Sequence, residues 1–174
     1  PNRALSLEAT EGAVRDPEAR SLRDMQWLSS AKSKALAKLQ REAAAKRKTI
    51  REEVTIEVMA EPINLARTFF RRGLNPDGST AEVHKLSINS LIEMYGGEGD
   101  KFALLNWEPL GYGQYGALAK DGITPDMAAE MFAGFDSGDQ LVRALLTEES
   151  AKEKIKRLTD QRMLERHGDL VDEQ

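Results

Sequence analysis

No cysteine occurs in the 174 residues, which excludes a disulfide framework, a thiol nucleophile and Cys-ligated zinc. Without it, nothing separates a reducing from an oxidising compartment. Aromatics make up only 6% of the chain while charged residues make up 31%. That balance favours elongated helices with thin seams over one deep globular core. No apolar run approaches the ~20 residues needed to span a bilayer, and the N-terminus lacks the basic-then-apolar layout of a signal peptide. Positive charge is not in excess either. A net charge of -4 argues against a whole-molecule nucleic-acid binder, so any such contact would be local. The chain begins at Pro1 and stops in the polar Val-Asp-Glu-Gln, which reads as a piece of something longer.

What is present in abundance is helix former. Residues 21–73 are rich in Ala, Leu, Lys, Arg, Glu and Gln, with almost no turn residue before Pro62. Apolar residues recur at Leu22, Met25, Leu28, Ala31, Ala35, Leu36, Leu39, Ala43, Ile50, Val54 and Val58. This period near 3.6 predicts one straight helix with a narrow apolar stripe, interrupted by Lys32 and Arg47. About forty residues of helix reach roughly 60 Å. A rod of that length needs a partner, and Leu28, Leu36, Leu39, Ile50, Val54 and Val58 form the expected interaction seam. A C-terminal cluster of roughly 45 residues is too small to cover all of it, so part of the seam should bury against another chain.

The remaining punctuation divides the chain. Residues 1–17 read as an extended arm, with Asp16 as N-cap and Pro17 in the first helical turn. Residues 18–73 form the long helix, broken and restarted at Pro62, with Gly73 ending the second segment. On that segment Ile63, Ala66, Phe69 and Phe70 fall on one side. Residues 74–122 hold the turn Asn75-Pro76-Asp77-Gly78 and a short helix capped by Ser87, with Leu91, Ile92 and Tyr95 turned inward. An irregular glycine-rich stretch follows, whose Trp107, Tyr112 and Tyr115 should plug onto the helices. Residues 123–168 form a three-helix cluster opened at Thr124-Pro125, at a Ser137/Gln140 capping box and at Thr147. Gly134 closes the first of these helices and Gly168 the last, which is seamed by Ala151, Ile155, Leu158, Met163 and Leu164. Residues 169–174 are a tail. The class is all-α, with little strand.

Few residues suggest chemistry. Gly111-Tyr112-Gly113-Gln114-Tyr115-Gly116 matches the G-x-G-x-x-G pattern, whose glycines let backbone amides close on a pyrophosphate at a helix N-terminus. The pattern requires a strand before and a helix after, yet Pro109 precedes it and no parallel-sheet signal exists. A Tyr-Gly packing loop is the plainer reading, with a nucleotide site as the alternative. Asn75 to Ser79 resembles the start of a calcium loop, but its glycine comes too early and no closing glutamate is in register. The two histidines, His84 and His167, are far apart, and His167 suits the C-terminal dipole of a helix. Lys46, Arg47 and Lys48 are candidate phosphate contacts, diluted by Glu42, Glu52 and Glu53. Ile123 to Leu146 has a helix-turn-helix outline, but Asp139, Gln140 and Arg143 offer a poor recognition face, and packing explains the segment better. No catalytic set emerges, and no cofactor or metal is expected.

Three stretches together resemble a known kind of protein: MAEPINLARTFFRRG, then HKLSINSLIEMYGG to LGYGQYGALAKDGI, then FDSGDQLVRALLTEE through DQRMLERHGDL. They are similar to a recurring helical region of the large multi-module polyvalent proteins of tailed phages and prophages (PLxRFG-domain type), across about residues 20 to 170. The resemblance implies a non-catalytic, virion-associated segment, delivered into the host cell with the genome. It implies contacts with other virion proteins, with copies of itself or with the rest of a parent polyprotein, and enzymatic modules elsewhere on that parent. A nucleic-acid-associated module with weak DNA contact through Lys46 to Lys48 and Arg71-Arg72 is the alternative reading.

Overall fold

The structure is a computed structural model and describes residues 17–172. It is 66% helical, with one long N-terminal helix, a proline-started second helix, C-terminal helices and a tiny two-stranded sheet. The elements run α1 (Pro17–Met59), α2 (Pro62–Arg72), β1 (Leu86–Ser87), α3 (Ile88–Tyr95), a 3-10 turn (Glu108–Leu110), β2 (Leu118–Ala119), α4 (Pro125–Met131), α5 (Gly138–Thr147) and α6 (Ala151–Asp172). The expected cap at Asp16 lies outside the described residues. The chain forms two compact units: residues 17–50 with 162–172, and residues 51–161.

Within the 51–161 unit, α1 ends where Glu61 turns the chain and Pro62 occupies the first position of α2, a position whose N–H would be unpaired in any case. Gly73 ends α2 in the left-handed conformation (φ 71°), its N–H donating to the Phe69 carbonyl. The buried face of α2 is Asn64, Ala66, Phe69 and Phe70, so Asn64 takes the place that the stripe assigned to Ile63. Phe69, Phe70 and Phe132 meet edge to face, with ring centroids 5.6, 5.6 and 6.2 Å apart. Around them pack Leu86, Leu91, Trp107, Leu141 and Val142, all buried.

β1 and β2 are parallel, with Leu86 opposite Leu118 and Ser87 opposite Ala119. Leu86 N–H donates to the Ala117 carbonyl and Ser87 N–H to that of Ile123, at 2.7 and 2.9 Å. The chain returns so closely at Gly122 that a Cβ there would lie 2.1 Å from the Lys85 carbonyl oxygen. Only glycine leaves room for this approach. The Ser87 hydroxyl accepts from Ser90 N–H and starts α3.

Several local expectations change. Ile92 is exposed, and α3 buries Leu91 and Tyr95 instead. Of the loop aromatics only Trp107 is buried, its indole N–H donating to the Gly96 carbonyl at 3.0 Å. Tyr112 and Tyr115 stay exposed because their loop runs over the surface. α4 ends at Met131, before Gly134. Thr147 ends α5 rather than starting the last helix. The N-terminal cap of α6 is Ser150, whose hydroxyl accepts from Glu153 N–H. Gly168 does not end α6. The helix instead bends at His167 (φ -137°, ψ 27°) and continues to Asp172. Leu164 is exposed, while Ile155, Thr159 and Met163 are buried. Of the three C-terminal helices, α4 and α5 pack on each other and share the aromatic core.

Candidate functional site

Two features of the surface stand apart. The first is the stripe of α1. Ala43, Ile50, Val54 and Val58 are buried within this chain, whereas Leu28, Leu36 and Leu39 are 52, 49 and 41% exposed. Leu22 and Met25 are exposed as well. The expected seam is therefore covered in its C-terminal part and open in its N-terminal part. Lys46 and Lys48 are exposed beside it, while Arg47, on the stripe itself, is half-buried and engaged.

The second feature is a groove of about 1060 Å³ on the 51–161 unit. Its wall carries Arg67, Arg71 and Arg72 of α2, His84 and Lys85 before β1, and Lys152 of α6. Arg67 is half-buried and bound in place: it donates to the Asn64 side-chain oxygen and to the carbonyls of Glu148 and Glu149, at 2.9–3.0 Å. Burial, then the neighbouring Arg71, hold Arg67 below the usual guanidinium value, while Glu148 and Glu61 act in the opposite direction. Lys154 donates to Glu61 at 2.5 Å, tying α6 to the turn before α2. Arg157 pairs with Glu149 close by.

Lys85 explains the glycine-rich loop. Its ammonium donates to the carbonyls of Gly113, Gln114 and Gly116. A phosphate-cradling loop presents its amides to the ligand and opens a helix. Here carbonyls converge on a cation, and the element that follows is the two-residue β2. The structural context of a dinucleotide fingerprint is missing at Gly111 to Gly116.

The other sequence candidates have local partners. A ring nitrogen of His84 (Nδ1) lies 2.9 Å from the Phe70 carbonyl. Asp77 accepts from the N–H and hydroxyl of Ser79, closing the 75–79 turn on itself. In the helix-turn-helix outline, Arg143 pairs with Asp139 within α5, and Gln140 accepts from Asp136 N–H of the turn, so these side chains have partners within their own segment. Sequence reasoning singled out Arg71 and Arg72 but missed Arg67, Lys85 and Lys152. They come from distant parts of the chain, and only folding gathers them. Neither a family model, nor a curated protein, nor a solved structure matches the chain.

Proposed function

We propose that this chain is a non-catalytic helical interaction module that pairs with a second copy of itself through the N-terminal part of α1. The exposed stripe carries this reading. Leu22, Met25, Ser29, Lys32, Leu36 and Leu39 follow one another at alternating spacings of three and four, the repeat that supercoils two helices about each other. Of the flanking positions, Gln26, Leu28, Ser33, Ala35 and Gln40 are uncharged and Glu42 is charged, so like-charge repulsion between two identical helices is confined to the Glu42 end of the seam. Ser29 and Lys32 weaken the seam and restrict its register, the known effect of polar residues at such positions.

The setting proposed for the module is a virion-associated protein of a tailed phage, carried in the particle and delivered into the host. The resemblance of residues 20 to 170 to polyvalent phage proteins supports it, and mass spectrometry of purified particles tests it.

Light scattering tests the pairing. The chain should run at twice its monomer mass at micromolar concentration. Leu36→Asp with Leu39→Asp places two charges in the seam, each costing several kcal/mol when buried unpaired, and should leave monomers. Lys34→Asp with Arg41→Asp, on the opposite face, should keep the pair. A monomeric wild type would overturn the reading, as would a dimer indifferent to the leucine changes.

A further inference from the structure

The groove on the 51–161 unit points to a ligand of its own, separate from the pairing of α1. Five cations from three parts of the chain line one concavity, and Glu148 is the acidic side chain on that wall. The chain as a whole is acidic, so this is a local reversal of its charge. The C-terminal dipole of α2 favours Arg71 and Arg72 but accounts for neither Lys85 nor Lys152, which reach the same wall from other segments. Cations that line a concave, low-dielectric surface reinforce one another's field.

Availability divides them. Arg67 and Lys85 spend their donors on backbone carbonyls and shape the wall. Arg71, Arg72 and Lys152 are exposed, and among the described residues their side chains make no ion pair or hydrogen bond. Arg67 and Arg71 repel each other across this wall, a cost that a bound anion would relieve. Beside them stands Tyr115, 84% exposed on the loop that Lys85 pins. Unpaired cations beside an open aromatic face are the components of a strand-binding channel, where phosphates meet the charges and bases stack on the ring.

We propose that this groove binds single-stranded nucleic acid, with Arg71, Arg72 and Lys152 on the phosphates and one base stacked on Tyr115. Single strand is favoured over duplex because a duplex keeps its base faces stacked away from the ring. An acidic peptide would match the charges but leave Tyr115 unused. Base identity matters little, since every base presents a π-face.

The test is fluorescence anisotropy of the full chain with a labelled, mixed-sequence strand of about 16 nucleotides, titrated between about 50 and 200 mM salt. Binding should saturate and weaken with salt. Arg71→Ala with Arg72→Ala and Lys152→Ala should lower affinity at least about tenfold and make the log–log salt slope shallower by about 2, at roughly 0.7 per lost phosphate contact. Tyr115→Ala should weaken binding roughly five- to hundredfold with the slope unchanged. Lys46→Ala with Lys48→Ala, outside the groove, should change nothing, and melting temperatures confirm that each variant folds. Competition on the wild-type chain needs no variant: unlabelled single strand should displace the probe, and duplex or polyglutamate at equal charge should not. The proposal is overturned by the absence of saturable binding at low salt, by a triple variant that binds like wild type, or by duplex or polyglutamate competing as well as single strand.

Discussion

Asn64 is the polar residue on which the corner between α1 and α2 closes. It is buried, and its amide donates to the Val58 carbonyl at 2.9 Å while its oxygen accepts from Arg67. A hydrophobe there would strand both partners, which explains why the polar residue holds a position facing the core. A second, partly buried contact joins α3 to α5: the Tyr95 hydroxyl donates to Asp139 at 2.6 Å. Tyr95 is pushed well above the ordinary phenol value, first by burial and then by this bond to Asp139. Asp139 is held below the usual carboxylate range by the Tyr95 hydroxyl and then by Arg143. The signs are opposite and the pH windows separate. Stability from the depressed carboxylate is present above its unfolded value of about 3.9 and lost as pH falls through the lower folded value. Stability from the raised phenol is present below about pH 10 and lost as pH rises toward its higher folded value. Melting curves across pH should therefore show Asp139→Asn losing less stability than wild type on acidification below about pH 4. Tyr95→Phe should lose less above about pH 10. Variants that track wild type in both limbs would remove the pair from the account.

At the scale of elements, α2 organises the 51–161 unit. Its Phe69 and Phe70 reach Phe132 after α4, and its Arg67 holds the chain that leaves α5. Phe70→Ala empties a fully buried site and should cost about 3–5 kcal/mol, read as a fall in the denaturant midpoint. Phe102→Ala, at an exposed loop position, should move the midpoint by no more than about 0.5 kcal/mol. Equal effects would mean that the aromatic cluster is not the core. The same scale shows how closely spaced polar residues mislead: Thr147, Glu148, Glu149 and Ser150 supply competing cap signals, and Ser150 becomes the cap because α5 uses Thr147 as its last residue. Ser and Thr both cap helices, so the choice falls to where each helix packs.

For the molecule as a whole, protection should follow burial. Residues 20–42 of α1 contain no fully buried side chain, while residues 66–142 carry the continuous core. A helix without tertiary cover opens at little cost. In hydrogen exchange, amides of residues 20–42 should exchange fastest in dilute protein and slow as concentration rises, as pairing covers the stripe. Amides of α2 and α5 should exchange slowest, with no concentration dependence. Uniform exchange along the chain would contradict the division into a supported and an unsupported part.

Helix existence was legible from the residues alone because its causes are local. Ala, Leu, Lys and Glu favour helix over residues 21–59, Pro62 stops and restarts it, and Ser87, Thr124 and Ser137 accept the first free amides of their own helices. Low strand content followed from the lack of alternation. The fate of each apolar face was not legible. Leu36 and Ile50 occupy the same stripe, yet one is open and the other buried, because burial depends on what the rest of the chain brings alongside. Asn64 could not be placed in the core by periodicity, since its partners are a carbonyl six residues earlier and an arginine side chain. The basic groove was legible only at Arg71 and Arg72, which are adjacent in sequence. Lys85 and Lys152 join them through contacts that span tens of residues, and such long-range juxtaposition is decided by the tertiary structure alone.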